Sequence, residues 1–71
     1  MRYKNLEAEI KRMGMSIENI AKELEINFNC LYRRIHCKTN FTLNDMLKLQ
    51  KFINEKTKSN FTLDYLFEKE E

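Results

Sequence analysis

The chain has 71 residues, enough for one small domain, and we predict a single domain over residues 1–71. It contains no proline and one glycine, and 42% of its residues are hydrophobic and 34% charged, a composition typical of a folded helical domain. No apolar run reaches the roughly 20 residues that span a bilayer, and the N-terminal segment lacks the apolar core of a signal peptide. We therefore expect no membrane partner and a cytoplasmic location.

Apolar residues at helical spacing predict an all-α fold, a compact bundle of about five short helices. Helix 1 is expected from about Tyr3 to Met13, and Gly14 provides a natural stop. Helix 2 follows a cap at Ser16 and is expected to end at Leu24.

The turn that follows helix 2 comprises residues 25–27. Asn27 is a good N-cap for helix 3, which is expected from Phe28 to His36. Leu31 and Ile35 lie four residues apart and form the inward face of this helix.

Helix 4 begins after Thr42, with which Asp45 is expected to complete a pair that resembles a capping box. Helix 4 is expected to run to about Asn54, and residues 55–60 are expected to form a loop. Its broad apolar face contains Leu43, Met46, Leu47, Leu49, Phe52 and Ile53.

Thr62 starts a short last helix, which is expected to end at about Glu68. The charged residues 68–71 are expected to fray.

The segment of residues 16–38 is the most informative, because two short helices joined by a tight turn are the pattern of a helix-turn-helix. Its second helix has no acidic residue. The outward face of this helix is therefore suited to the major groove of DNA. Residues 27–40 contain three basic residues and no acid, which fits a nucleic-acid face. A solvated helix surface is the alternative that charge alone does not exclude.

Other chemistry finds little support in the sequence. Cys30 and Cys37 lie two helical turns apart, roughly 10 Å, too far for a disulfide, and only His36 is near enough to join them as a metal ligand. We expect reduced cysteines, no metal and no cofactor. The sequence has one histidine and no glycine-rich loop, so no arrangement of catalytic residues is evident. We therefore expect neither an enzyme nor a small-molecule substrate.

Residues 5–54 resemble the DNA-binding domains of the phage repressor and Cro family, the XRE-type helix-turn-helix. The segments IAKELEI and LYRRIHCKTNFTL carry the resemblance, and with NLEAEIKRMGMS and LDYLFEKE they are similar to short regulators from phages and mobile elements of low-GC Gram-positive bacteria. The resemblance implies a lambda repressor-like bundle. It also implies a turn residue with a left-handed backbone, which would cost Glu25 about 1 kcal/mol relative to glycine.

The resemblance implies two sets of DNA contacts. The residues expected to read bases are Asn27, Phe28, Asn29, Tyr32 and Arg33. The residues expected to meet the DNA backbone are Lys4, Arg34, Lys38, Thr39 and Asn40. Three alternatives stay open: Phe28 packed back on helix 2, Arg34 as a solvated charge, and His36 as a helix-end residue.

Two functions fit these observations. The first is a sequence-specific transcriptional regulator, a Cro-like repressor that binds a double-stranded operator as a weak homodimer, because a single recognition helix reads few base pairs. The second is a modulator or antirepressor that binds a partner repressor protein, since exposed Phe28 and Tyr32 also suit a protein interface.

Overall fold

Five α-helices make up most of the chain in a computed structural model that describes residues 1–70. They are α1 (Lys4–Met13), α2 (Ile17–Leu24), α3 (Phe28–Ile35), α4 (Leu43–Thr57) and α5 (Leu63–Leu66). In this part of the chain the only extended pairing is one antiparallel bridge between Arg2 and Glu70. The predicted all-α fold with about five short helices is confirmed.

Side-chain oxygens cap the first turns of α2, α3, α4 and α5. Each accepts a hydrogen bond from the backbone N–H three residues later, at 3.0 to 3.2 Å, and so satisfies a donor that the helix leaves free. The capping residues are Ser16, Asn27, Thr42 and Thr62. The predicted starts of these four helices are confirmed.

Helix ends depend on left-handed residues that are mostly not glycine. Gly14 ends α1 with φ 69°, whereas Glu25 after α2, Cys37 near the end of α3 and Lys58 after α4 have φ of 55°, 61° and 53°. After Glu25, the N–H of Ile26 donates to the carbonyl of Ala21 at 2.9 Å. Equivalent bonds follow Cys37 and Lys58, and each satisfies a carbonyl of the last turn.

Several predicted boundaries are wrong by one to three residues. Helix α1 begins at Lys4, α3 ends at Ile35 and α5 ends at Leu66. The expected loop at 55–60 is shorter, because α4 continues to Thr57. Helix α4 stops only where the next residue adopts the left-handed conformation.

The described residues after α5 return to the N-terminal segment, and the expected fraying of residues 68–71 stays a prediction. The backbone of Glu70 exchanges two hydrogen bonds with that of Arg2, at 2.8 and 3.0 Å, and these bonds join the segment after α5 to the residues before α1. Glu71 lies outside the described residues.

One core joins all five helices. Its buried apolar side chains are Tyr3, Leu6, Ile10, Ile20, Ala21, Leu31, Ile35, Leu49, Ile53 and Leu66. The expected broad apolar face of α4 is wrong at Leu43 and Leu47, which are 61% and 47% exposed. Leu47 is two residues from buried Leu49 and therefore points to nearly the opposite side of the helix.

None of the helices in residues 1–70 has both the length and the apolar character that crossing a bilayer requires.

Candidate nucleic-acid interface

Helix α3 is held in place by the apolar side chains on its inner face. Leu31 and Ile35 are 0% and 1% exposed, and α3 packs against α2, where Ile20 and Ala21 are buried. Ala21 is small, which allows the two helices to approach closely. This packing leaves the opposite face of α3 open to solvent.

All five expected base-reading residues are exposed on or beside this open face. Asn29 and Arg33 lie one turn apart on it, nearly opposite the buried residues. Asn27 is also the N-cap of α3, because its Oδ1 accepts a 3.2 Å hydrogen bond from the N–H of Cys30. The cap occupies one lone pair of Oδ1, and the amino group of the Asn27 side chain stays free to donate to a ligand.

Three rings form an aromatic row along one flank of α3, made by Phe28, Tyr32 and His36. The ring centroids of Phe28 and Tyr32 are 5.8 Å apart, and those of Tyr32 and His36 are 4.2 Å apart. Phe28 is 41% and Tyr32 45% exposed, so Phe28 is not a member of the buried core, and the alternative in which it packs back on helix 2 stays open. His36 is not only a helix-end residue, and its spacing of four from Tyr32 was the available signal for the row.

Arg34 has a partner within the protein. Its Nη1 donates to Oδ2 of Asp45, and the two side chains are 22% and 13% exposed. The ion pair ties α3 to the first turn of α4. Arg34 is therefore neither a freely solvated charge nor an uncommitted phosphate ligand, because nearby Asp45 neutralises much of its charge.

The same contact corrects the expected capping box. Thr42 Oγ1 does accept a 3.2 Å hydrogen bond from the N–H of Asp45, as expected. The reciprocal half is wrong, because the carboxylate of Asp45 binds Arg34 rather than the backbone of Thr42. A charged partner on another helix competes successfully with a local backbone donor.

The expected backbone-contacting residues fall into two groups. Lys38, Thr39 and Asn40 are exposed in the connection from α3 to α4. The N–H groups of Lys38 and Thr39 donate to the carbonyl of Arg33 at 2.7 and 3.4 Å, which fastens this connection to the end of α3. Lys4 belongs elsewhere, at the start of α1, where its Nζ lies 3.9 Å from the carboxylate of Glu70.

The open face of α3 therefore carries uncompensated positive charge. Arg33 and Lys38 form no ion pair with any residue between 1 and 70, and α3 has no acidic residue. Amide, guanidinium and ammonium donors are thus available beside the aromatic row. This combination suits a ligand with anionic groups and flat or apolar edges.

The cysteines on and after α3 are both free thiols, with Cys30 exposed and Cys37 half-buried. Among the described residues, no three His, Cys, Asp or Glu side chains are placed so that they could hold a metal ion together.

Comparisons with family models, with curated proteins and with solved structures find no match for this chain. The role of the α3 face therefore rests on its own geometry and chemistry.

Proposed function

We propose that this protein is a sequence-specific regulator of transcription that binds double-stranded DNA by placing α3 in the major groove. The observation that carries the proposal is the open face of α3, where Asn29 and Arg33 lie one turn apart with no acidic residue in the helix. Lys38, in the connection that follows, adds a cation beside this face. A helix of this kind matches the width of the major groove and the negative charge that borders it.

Each group has a distinct part in this proposal. Arg33 presents a planar guanidinium that makes two parallel hydrogen bonds to guanine, and Asn29 presents an amide that pairs with adenine. Lys38, Thr39 and Asn40 contact phosphates and set the register of the helix. Arg34 acts mainly within the protein, because its ion pair with Asp45 fixes the angle between α3 and α4.

The sequence resemblance supports the finer assignment to a Cro-like repressor of the XRE type, encoded by a phage or mobile element and acting in the cytoplasm of a bacterial host. Such a protein needs no cofactor and carries out no reaction. It represses by covering a promoter.

We also propose that two copies bind a near-palindromic operator, because one α3 reads too few base pairs to distinguish its site in a genome. Phe52, Phe61 and Phe67 are half-buried against the core and offer less surface to a partner than fully exposed residues. Leu43 and Leu47 are the exposed apolar residues that α4 offers to a second copy. Sedimentation of the operator complex tests this, and one monomer per operator would contradict it.

Selection from a random library of DNA duplexes tests the main proposal. We expect a recurrent sequence, and we expect Arg33→Ala to lose about 1–3 kcal/mol of binding free energy together with preference at one base pair. Lys51→Ala is a matched control, because Lys51 is an exposed cation on α4. Recovery of no recurrent sequence, or equal affinity of wild type and Arg33→Ala for the selected and the altered site, would refute the proposal.

The exposed aromatic row favours one rival, a modulator that binds a partner repressor through this face. Phe28 and Tyr32 are the residue types found at the centres of protein interfaces. This rival predicts that loss of either ring abolishes binding to the partner, whereas DNA binding is weak and insensitive to base sequence.

A further inference from the structure

We propose that the aromatic row of Phe28, Tyr32 and His36 selects DNA by the C5-methyl groups of thymine. This inference rests on the proposed DNA-binding function and specifies which bases the flank of α3 prefers. It applies to a run of thymines in one strand of the operator.

The row is continuous and faces solvent. The ring centroid of Tyr32 lies 5.8 Å from that of Phe28 and 4.2 Å from that of His36. All three residues are exposed on one flank of α3. The Arg34–Asp45 ion pair lies on another side of the helix, toward α4, so it does not cover the row. Exposed rings outside the buried core are suited to an apolar surface of a ligand.

The charge beside the row favours DNA as that ligand. Arg33 projects next to the row, and α3 contains no acidic residue that would repel phosphates. Along the base edges of the major groove, the only methyl group is the C5-methyl of thymine, and most other edge groups donate or accept hydrogen bonds. A row of rings entering the groove therefore gains contact area at thymine and leaves polar edges unsatisfied at other bases.

The length of the aromatic row determines how many neighbouring thymines it is expected to contact. Residues 28 and 36 are eight positions apart, a rise of about 12 Å along a helix. Successive bases of one DNA strand rise by about 3.4 Å. The row therefore spans more than one base and is expected to favour neighbouring thymines rather than a single one.

Replacement of thymine by uracil tests this directly, because it removes the methyl group and leaves all hydrogen-bonding groups in place. The probes are duplexes recovered from the random library, synthesised again with deoxyuridine at one thymine at a time. We expect affinity to fall about fourfold at each thymine beneath the row, the effect of exposing one methyl-sized apolar group. Where cytosine is placed at such a position, 5-methylcytosine is expected to bind more tightly than cytosine.

Variants link the methyl effect to the row. In Phe28→Ala and Tyr32→Ala, the ratio of affinities for the thymine and uracil duplexes is expected to approach one at the thymines that each ring covers. Arg33→Ala is the control, because it should weaken binding to both duplexes and keep the ratio. The exposed positions of both rings predict little change in melting temperature, so loss of the ratio would not reflect unfolding.

Failure of the thymine inference and failure of the proposed DNA-binding function would give different results. Sequence-specific, salt-dependent binding with equal affinity for thymine and uracil duplexes would overturn this inference and leave the proposed function standing. Recovery of no specific duplex would overturn both.

Discussion

The hydroxyl of Tyr65 on α5 donates a 2.9 Å hydrogen bond to Oε2 of Glu9 on α1, across 56 positions of the chain. Glu9 is 1% exposed. Its Oε1 lies 3.1 Å from Nη1 of Arg12 but accepts no well-aligned hydrogen bond. The buried carboxylate therefore relies on one hydroxyl and one nearby positive charge, and Tyr65 joins the first helix to the last.

Removal of that hydroxyl is expected to destabilise the fold. Tyr65→Phe leaves both oxygens of Glu9 without a hydrogen bond, at a cost of about 1–3 kcal/mol in the free energy of unfolding. Urea denaturation measures this. Tyr32→Phe is the matched control, because the hydroxyl of Tyr32 is on the exposed flank of α3, and equal stability of the two variants would contradict the role of Tyr65.

The same contact predicts a loss of stability in alkali. The hydrogen bond to Glu9, followed by burial and the charge of Glu9, raises the pKa of Tyr65 above its ordinary value, against a smaller opposing effect of Arg12. A pKa raised by folding contributes stability below the unfolded-state pKa, and this contribution is lost as the pH rises through the folded-state pKa.

We therefore expect the stability difference between wild type and Tyr65→Phe to stay constant below about pH 10, the ordinary pKa of tyrosine, and to shrink as the pH rises above it. Urea denaturation of both proteins at each pH measures the difference and cancels the titration of lysines common to both. A difference independent of pH would show that Tyr65 does not carry this linkage.

The residues that follow α2 and α4 predict variants that are more stable than the wild type. Glu25 and Lys58 adopt left-handed backbone conformations with φ of 55° and 53°, where glycine has no steric penalty. Each change to glycine is expected to stabilise the fold by up to about 1 kcal/mol, less the entropy that glycine gains in the unfolded chain. Thermal melting measures both.

Gly14→Ala is the reverse control. Gly14 has φ 69°, and a methyl group added to its Cα would meet no neighbouring atom within 4 Å, so only backbone strain opposes alanine there. We expect a loss of about 1 kcal/mol. A stabilised Gly14→Ala, or destabilised glycine variants at Glu25 and Lys58, would contradict the assigned conformations.

The sequence predicts the fold where the signals are local. Ser16, Asn27 and Thr42 cap helices as expected because each acts within three residues of its own position. The contacts that were not predicted are distant in the chain. The partner of Asp45 is Arg34, and Glu9 is buried under Tyr65, although a glutamate in a helix normally indicates a solvated face.

In the candidate site too, the sequence predicts what depends on nearby residues and misses what depends on distant ones. Exposure of Asn29 and Arg33 follows from the helical spacing of Leu31 and Ile35, which turn the other face inward. The spacing does not reveal that Arg34 is neutralised, because that depends on where α4 lies.

Arg33 and Arg34 are adjacent but are expected to respond differently to mutation. Arg34→Ala should lower stability, and a double-mutant cycle with Asp45→Ala should give a coupling of about 0.5–3 kcal/mol. Arg33→Ala should leave stability unchanged and weaken DNA binding. Urea denaturation and a binding titration of the same two variants separate these roles, and zero coupling would contradict a structural ion pair.

The proposal that α3 and the connection after it bind DNA is tested most directly by the salt dependence of affinity for a mixed-sequence duplex. Each phosphate contact releases counterions, so the logarithm of the binding constant should fall linearly with the logarithm of salt concentration. Lys38→Ala should weaken binding to all sequences alike and reduce the slope by about one. Binding that does not change with salt, or a slope identical in wild type and Lys38→Ala, would contradict the account.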